Sequence, residues 1–90
     1  MINLSIDFIP CELCGRRATE HHHVFGGANR KHSEQYHLVA CLCAECHRTG
    51  ENAVHRNAAV AEDMKQRYQT LFELVHGHEK FMRIFGRNYL

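Results

Sequence analysis

Two Cys-x-x-Cys pairs, Cys11/Cys14 and Cys43/Cys46, constrain the fold of this chain more than any other feature. Zinc takes four soft ligands in a tetrahedron. A Cys-x-x-Cys turn puts two sulfurs on one side of the ion, and a distant second pair closes the other. A chain of 90 residues has room for one domain, with a core too small to be secure without a staple. A structural zinc on Cys11, Cys14, Cys43 and Cys46 is therefore the expectation, since buried free thiols rarely fall into paired spacing by accident. The fifth cysteine, Cys41, lies in the apolar run before Cys43, where it either packs or substitutes as a ligand.

Metal is favoured over disulfides by the expected compartment as well. Met1 to Pro10 has no basic start, and Asp7 interrupts an apolar stretch already too short for a signal peptide. No segment has the length of a membrane span. The expectation is a cytoplasmic protein, in which thiols stay reduced.

One domain, residues 1–90, divides into two halves without repeats. Residues 11–57 hold the cysteines and most of the histidines, punctuated by Gly26-Gly27 and Gly50, and predict short strands and loops organised by metal. The apolar run from His37 to Cys43 suits a strand, with residues 20–25 as the other arm of a hairpin. Residues 58–90 are helical in pattern. Val60, Met64, Tyr68, Leu71, Phe72 and Val75 recur at helical spacing to a stop near Gly77, and a shorter helix runs through Phe81, Ile84 and Phe85 to Gly86. The apolar stripe is expected to pack on the metal-bound half. The expected class is α+β.

Three consecutive histidines, His21, His22 and His23, precede Val24-Phe25 and the glycine pair, and His47 follows Cys46 directly. Neutral imidazoles from separate segments make an open site for a divalent cation, and one more, off the metal, can act as a base near neutral pH. Net charge is only +1, but Arg30, Lys31, Arg48 and Arg56 lie beside these motifs, where they form either a local phosphate-binding patch or a solvated surface.

His22-His23-Val24 and Cys43-Ala44-Glu45-Cys46-His47, with the stretches His22 to Arg30 and Ala53 to Asn57, resemble the HNH (ββα-metal, His-Me finger) endonucleases, in particular the small zinc-knuckle members of phages and prophages. The resemblance covers about residues 11–57. It implies a small zinc-stapled ββα-metal domain with C-terminal helices, and an endonuclease that hydrolyses DNA phosphodiester bonds with a single catalytic divalent ion, Mg²⁺, Mn²⁺, Ni²⁺ or Zn²⁺. His22 would bind that ion with His47, and His23 would be the general base that activates water. The family's middle Asn has no direct counterpart; its role of orienting the base falls to His37, offset by one residue, or to Asn29. DNA is the implied partner, held by Arg30, Lys31, Arg48 and Arg56, with phage or host recombination and packaging proteins as further partners.

Two features depart from a simple reading of these motifs. His55 lies eight residues after His47, too far round a continuous helix to share an ion. Gly50 offers a break, which would make His55 a third ligand; otherwise it is a helix-start histidine that touches phosphate. Adjacent residues of a regular strand point to opposite faces, so His22 and His23 reach one ion together only from an irregular strand end at Gly26-Gly27. In a regular strand His21 and His23 share a face instead. Two readings of other classes remain: a noncatalytic zinc-ribbon module that binds nucleic acid or protein, and a metal buffer. The first has no use for clustered histidines, and the second has none for the basic residues around them.

Overall fold

A computed structural model describes residues 8–90. The first seven residues, and with them most of the stretch read against a signal peptide, lie outside the described residues. Strand β1, Glu20–His23, pairs antiparallel with β2, Val39–Leu42, to form a two-stranded sheet. Between them run a 3₁₀ turn, Gly27–Asn29, and a short helix, α1, Arg30–Gln35. After β2 comes a single wide helical turn, Glu45–Thr49, then α2, Ala58–His76, and α3, His78–Phe85. The class is a mixed α+β fold with C-terminal helices, and the hairpin joins the two segments read from the sequence. The helix between its strands was not foreseen.

The register is Glu20 with Leu42, His21 with Cys41, His22 with Ala40 and His23 with Val39. Alternation then puts Glu20 and His22 on the face of Ala40 and Leu42, both fully buried, and His21 and His23 on the other. The ladder is regular through His23, so His22 and His23 diverge, as expected of a regular strand. Cys41 turns with His21 and leaves the other cysteines; its backbone N–H donates to Glu12.

The core joins both halves. Val24, Phe25, Leu38, Ala40 and Leu42 from the hairpin meet Met64, Phe72, Phe81 and Phe85 from α2 and α3. Phe25 is the hinge of this packing, with ring centroids 5.4 Å from Phe81 and 4.8 Å from Phe85. Burying a phenylalanine side chain contributes about 1.5–3 kcal/mol, so this aromatic group carries much of what holds the helices to the hairpin.

Helix α2 starts and stops for visible reasons. The Asn57 side chain accepts from the N–H groups of Ala59 and Val60, and Gly77, at φ 86, ends the helix at the residue the sequence marked. Its buried face differs from the expected stripe. Met64 and Phe72 are buried, but Leu71 and Val75 are mostly exposed, and Gln69 is fully buried instead. The Gln69 amide reaches Glu73 and Asn88, and its carbonyl accepts from the Tyr89 N–H, so the end of the chain folds back and rotates the helix toward it. Among the described residues no helix is long and apolar enough to cross a membrane.

Candidate metal centre

The four cysteines of the two pairs converge. Cys11 and Cys14 sit in a turn pinned by Cys11 N–H to Arg16 and by Gly15 N–H to Cys11, a geometry that needs the positive φ of Gly15, 82°. Cys43 follows directly on β2, and Cys46 sits one turn on with its N–H directed at the Cys43 sulfur. All four sulfurs lie within 4.8 Å of one another, and Cys14 Sγ is 3.7 Å from Cys43 Sγ. A tetrahedral Zn–S distance of about 2.3 Å requires sulfurs about 3.8 Å apart, so the spacing suits zinc. The thiol electrostatics agree. The Arg16 guanidinium, 3.4 Å away, draws Cys14 down to about 6, whereas burial and the neighbouring thiols push Cys46 up. Such a crowd ionises fully only around a cation. These residues can hold a structural metal such as zinc, and Cys41 is not among them.

A second group of donors forms where the sheet meets the turn after Cys46. His22, His47 and His55 bring one ring nitrogen each to within 4.8 Å of the others. The separation of His47 from His55 along the chain is resolved by the wide turn. Gly50 N–H bonds back five residues to Glu45, the chain leaves extended at Gly50, and His55 N–H then donates to the His47 carbonyl. Helical turns of this width recur at functional sites. Gly50 is required here by space, because a Cβ would sit 2.7 Å from the Glu45 carbonyl oxygen. The result sets His55 Nε2 3.0 Å from His47 Nε2, with the His22 ring centroid 5.0 Å and 5.2 Å from those of His55 and His47.

These imidazoles are prepared as neutral ligands. Burial, with His55 and His47 alongside, lowers His22 to about 4, and burial also lowers His55. Glu20 supplies the orientation of His47. It shares the His22 face, accepts from His47 Nδ1 at 2.7 Å, and so leaves Nε2 turned toward the other rings. Arg48 clasps the same carboxylate at 2.9 Å, and Arg48 and His47 together hold Glu20 down to about 2. A carboxylate behind a ligating histidine fixes its tautomer and raises its basicity. The donor set fits a divalent cation with an open side.

His23 takes no part in that group. It meets Glu34 of α1, whose carboxyl the contact holds below its usual range. The side chain that meets His23 is thus Glu34, where the resemblance pointed to His37 or Asn29. His37 occupies a left-handed turn, φ 60, before β2 and lines a cleft with Tyr36, Tyr68, Phe72 and His76. Asn29 donates to the Phe85 carbonyl, which fastens the glycine loop to α3.

Of the basic residues, Arg30 and Lys31 line an open cleft with Gly27, Ala28 and Glu34. Arg48 is engaged with Glu20, and Arg56 donates to the Thr49 carbonyl, so both also secure the loop that carries the histidines. Sequence reasoning missed Glu20 and Glu34. Glu20 was findable, since it lies two residues before His22 on a strand. Glu34 was not, because nothing local announces α1.

Comparison with protein-family models, with curated proteins and with solved structures gave no match.

Proposed function

We propose that this chain is a metal-dependent endonuclease of the HNH type that hydrolyses DNA phosphodiester bonds. The observation that carries the reading is the convergence of His22, His47 and His55 on one point while His23, the next residue in the strand, is held apart from them. A binding module has no need to separate two adjacent histidines in this way. The structural zinc on Cys11, Cys14, Cys43 and Cys46 would fix the end of β2 and the turn that presents His47.

His22, His47 and His55 would hold a single divalent ion, Mg²⁺, Mn²⁺, Ni²⁺ or Zn²⁺. When bound, that ion supplies charge neutralisation at the scissile phosphate and at the departing 3′ oxygen. The chain's own groups supply the rest. Adjacent Cα atoms are about 3.8 Å apart, so His23 follows the ligand His22 directly in β1, with its side chain on the opposite face. His23 takes a proton from water as the water oxygen bonds to phosphorus. The bond from phosphorus to the 3′ oxygen breaks, its electron pair leaves on that oxygen, and solvent protonates it. The products are a 5′-phosphate and a 3′-hydroxyl. Arg30 and Lys31, which line an open cleft, would hold the DNA backbone without regard to base.

Plasmid nicking tests the assignment. A His23→Ala protein should keep its fold and metals and lose cleavage by roughly 10²- to 10⁴-fold, the usual contribution of a positioned base. His22→Ala and His47→Ala should bind Mn²⁺ or Ni²⁺ more weakly in calorimetric titration and recover partly with excess metal, which His23→Ala should not. A His23→Ala protein that cuts at the wild-type rate refutes the assignment and leaves the noncatalytic zinc-ribbon module as the better account.

A further inference from the structure

The histidine that the nuclease reading casts as the base has an acid partner of its own. His23 is largely covered, its side chain 15% exposed, and its Nε2 meets Oε2 of Glu34. Glu34 reaches it from α1, which is not a loosely attached helix. Ser33, fully buried beside Glu34, accepts from the Phe25 N–H at 3.0 Å and donates to the Phe25 carbonyl at 2.7 Å. Phe25 lies two residues beyond His23, so α1 is pinned to the segment that carries the ring. Arg30, one turn earlier on α1, adds its charge to the site, but the hydrogen bond of the carboxylate goes to the histidine.

We propose that Glu34 is the positioning residue for His23: its carboxylate accepts the Nε2–H of the imidazole and fixes the tautomer whose Nδ1 lone pair faces the attacking water. The inference rests on the nuclease reading for its consequence, though the tautomer itself does not. An imidazole in water exchanges its proton between two nitrogens, and only a fixed acceptor on one makes the other a reliable base. The carboxylate has a second effect once Nδ1 takes the water proton, because its negative charge then faces an imidazolium. The Glu34 carboxylate is bonded to the imidazole, so its loss should act on catalysis through His23.

Two measurements on the zinc-loaded protein test this. Nitrogen-15 NMR of the imidazoles, with His23 identified by its absence in His23→Ala, should find His23 protonated at Nε2 in the wild type and exchanging between tautomers in Glu34→Ala. In plasmid nicking with Mn²⁺, Glu34→Ala should lose on the order of 10- to 100-fold in kcat, part of what the base contributes. Glu34→Gln keeps an acceptor for Nε2–H without the charge; it should hold the tautomer and lose less, and it serves if Glu34→Ala fails to fold. A wild-type tautomer protonated at Nδ1, or a folded Glu34→Ala with unaltered kcat, overturns the proposal while the nuclease reading stands. An inactive wild type removes the nuclease reading itself, and is seen before any Glu34 variant is made.

Discussion

Glu20 decides which nitrogen of His47 is offered to a metal. Its carboxylate accepts from Nδ1 and is itself clasped by Arg48, so the His47 ring is held from behind while Nε2 faces His55 Nε2 at 3.0 Å. Loss of that hold should be felt as affinity rather than as stability, since the strand, the turn and the sulfurs do not depend on it. Glu20→Ala should weaken Mn²⁺ or Ni²⁺ binding by roughly 10- to 100-fold, and Glu20→Gln, which keeps an oxygen acceptor, should weaken it less. Calorimetric titration of the zinc-loaded proteins reads the difference. Equal affinity in wild type and Glu20→Ala would mean that the ring is set by its backbone alone. The same geometry changes the reading of Arg48, whose guanidinium clasps the carboxylate behind the His47 ring.

The elements show where a sequence can be read and where it cannot. Gly50 is the clearest case of success. The distance between His47 and His55 could be closed only by a break in the chain, and the glycine that offered one leads the chain out of the wide turn, extended at ψ 163. Gly50→Ala should therefore force a Cβ against the Glu45 carbonyl at 2.7 Å, disturb the loop that returns His55 to His47, and weaken divalent-metal binding. The helix beyond should survive, because Asn57 caps it independently. Far-ultraviolet circular dichroism beside the metal titration separates the two effects; unchanged affinity would show that the turn absorbs the methyl group. The stops at Gly77 and Gly86 were equally legible, as backbone punctuation acts locally. α1 was not, since Arg30–Gln35 has no apolar stripe and its buried side chain is the hydroxyl of Ser33. The buried face of α2 was misread for a related reason. Periodicity chose Leu71 and Val75, while the actual choice was made by Gln69, whose partners Asn88 and Tyr89 lie some twenty residues along the chain.

At the scale of the whole molecule, the two donor groups should have opposite effects on folding. The sulfurs of Cys11 and Cys14 come from one end of the chain and those of Cys43 and Cys46 from the far side of the hairpin, and both Cys11 and Cys43 belong to the continuous core. The site therefore ties the knuckle to the sheet, and through Leu42 and Phe25 to α2 and α3. A chain this short has little surplus core to spare for the loss of that tie. Where a metal site forms only in the folded state, its binding free energy becomes folding free energy. The histidine group differs. His22, His47 and His55 sit on elements already fixed by the ladder, the Gly50 turn and the His55–His47 backbone bond, and they leave one side open. Cys43→Ser, or extraction of zinc by a strong chelator, should thus abolish cooperative melting of the whole chain, α2 and α3 included. His22→Ala should leave the melting transition nearly in place and remove only the binding of the second ion. Thermal melts followed by circular dichroism, with zinc content measured on each protein, decide between these fates. A Cys43→Ser protein that melts like the wild type would show that the aromatic core alone suffices, and the four sulfurs would then hold nothing the fold requires.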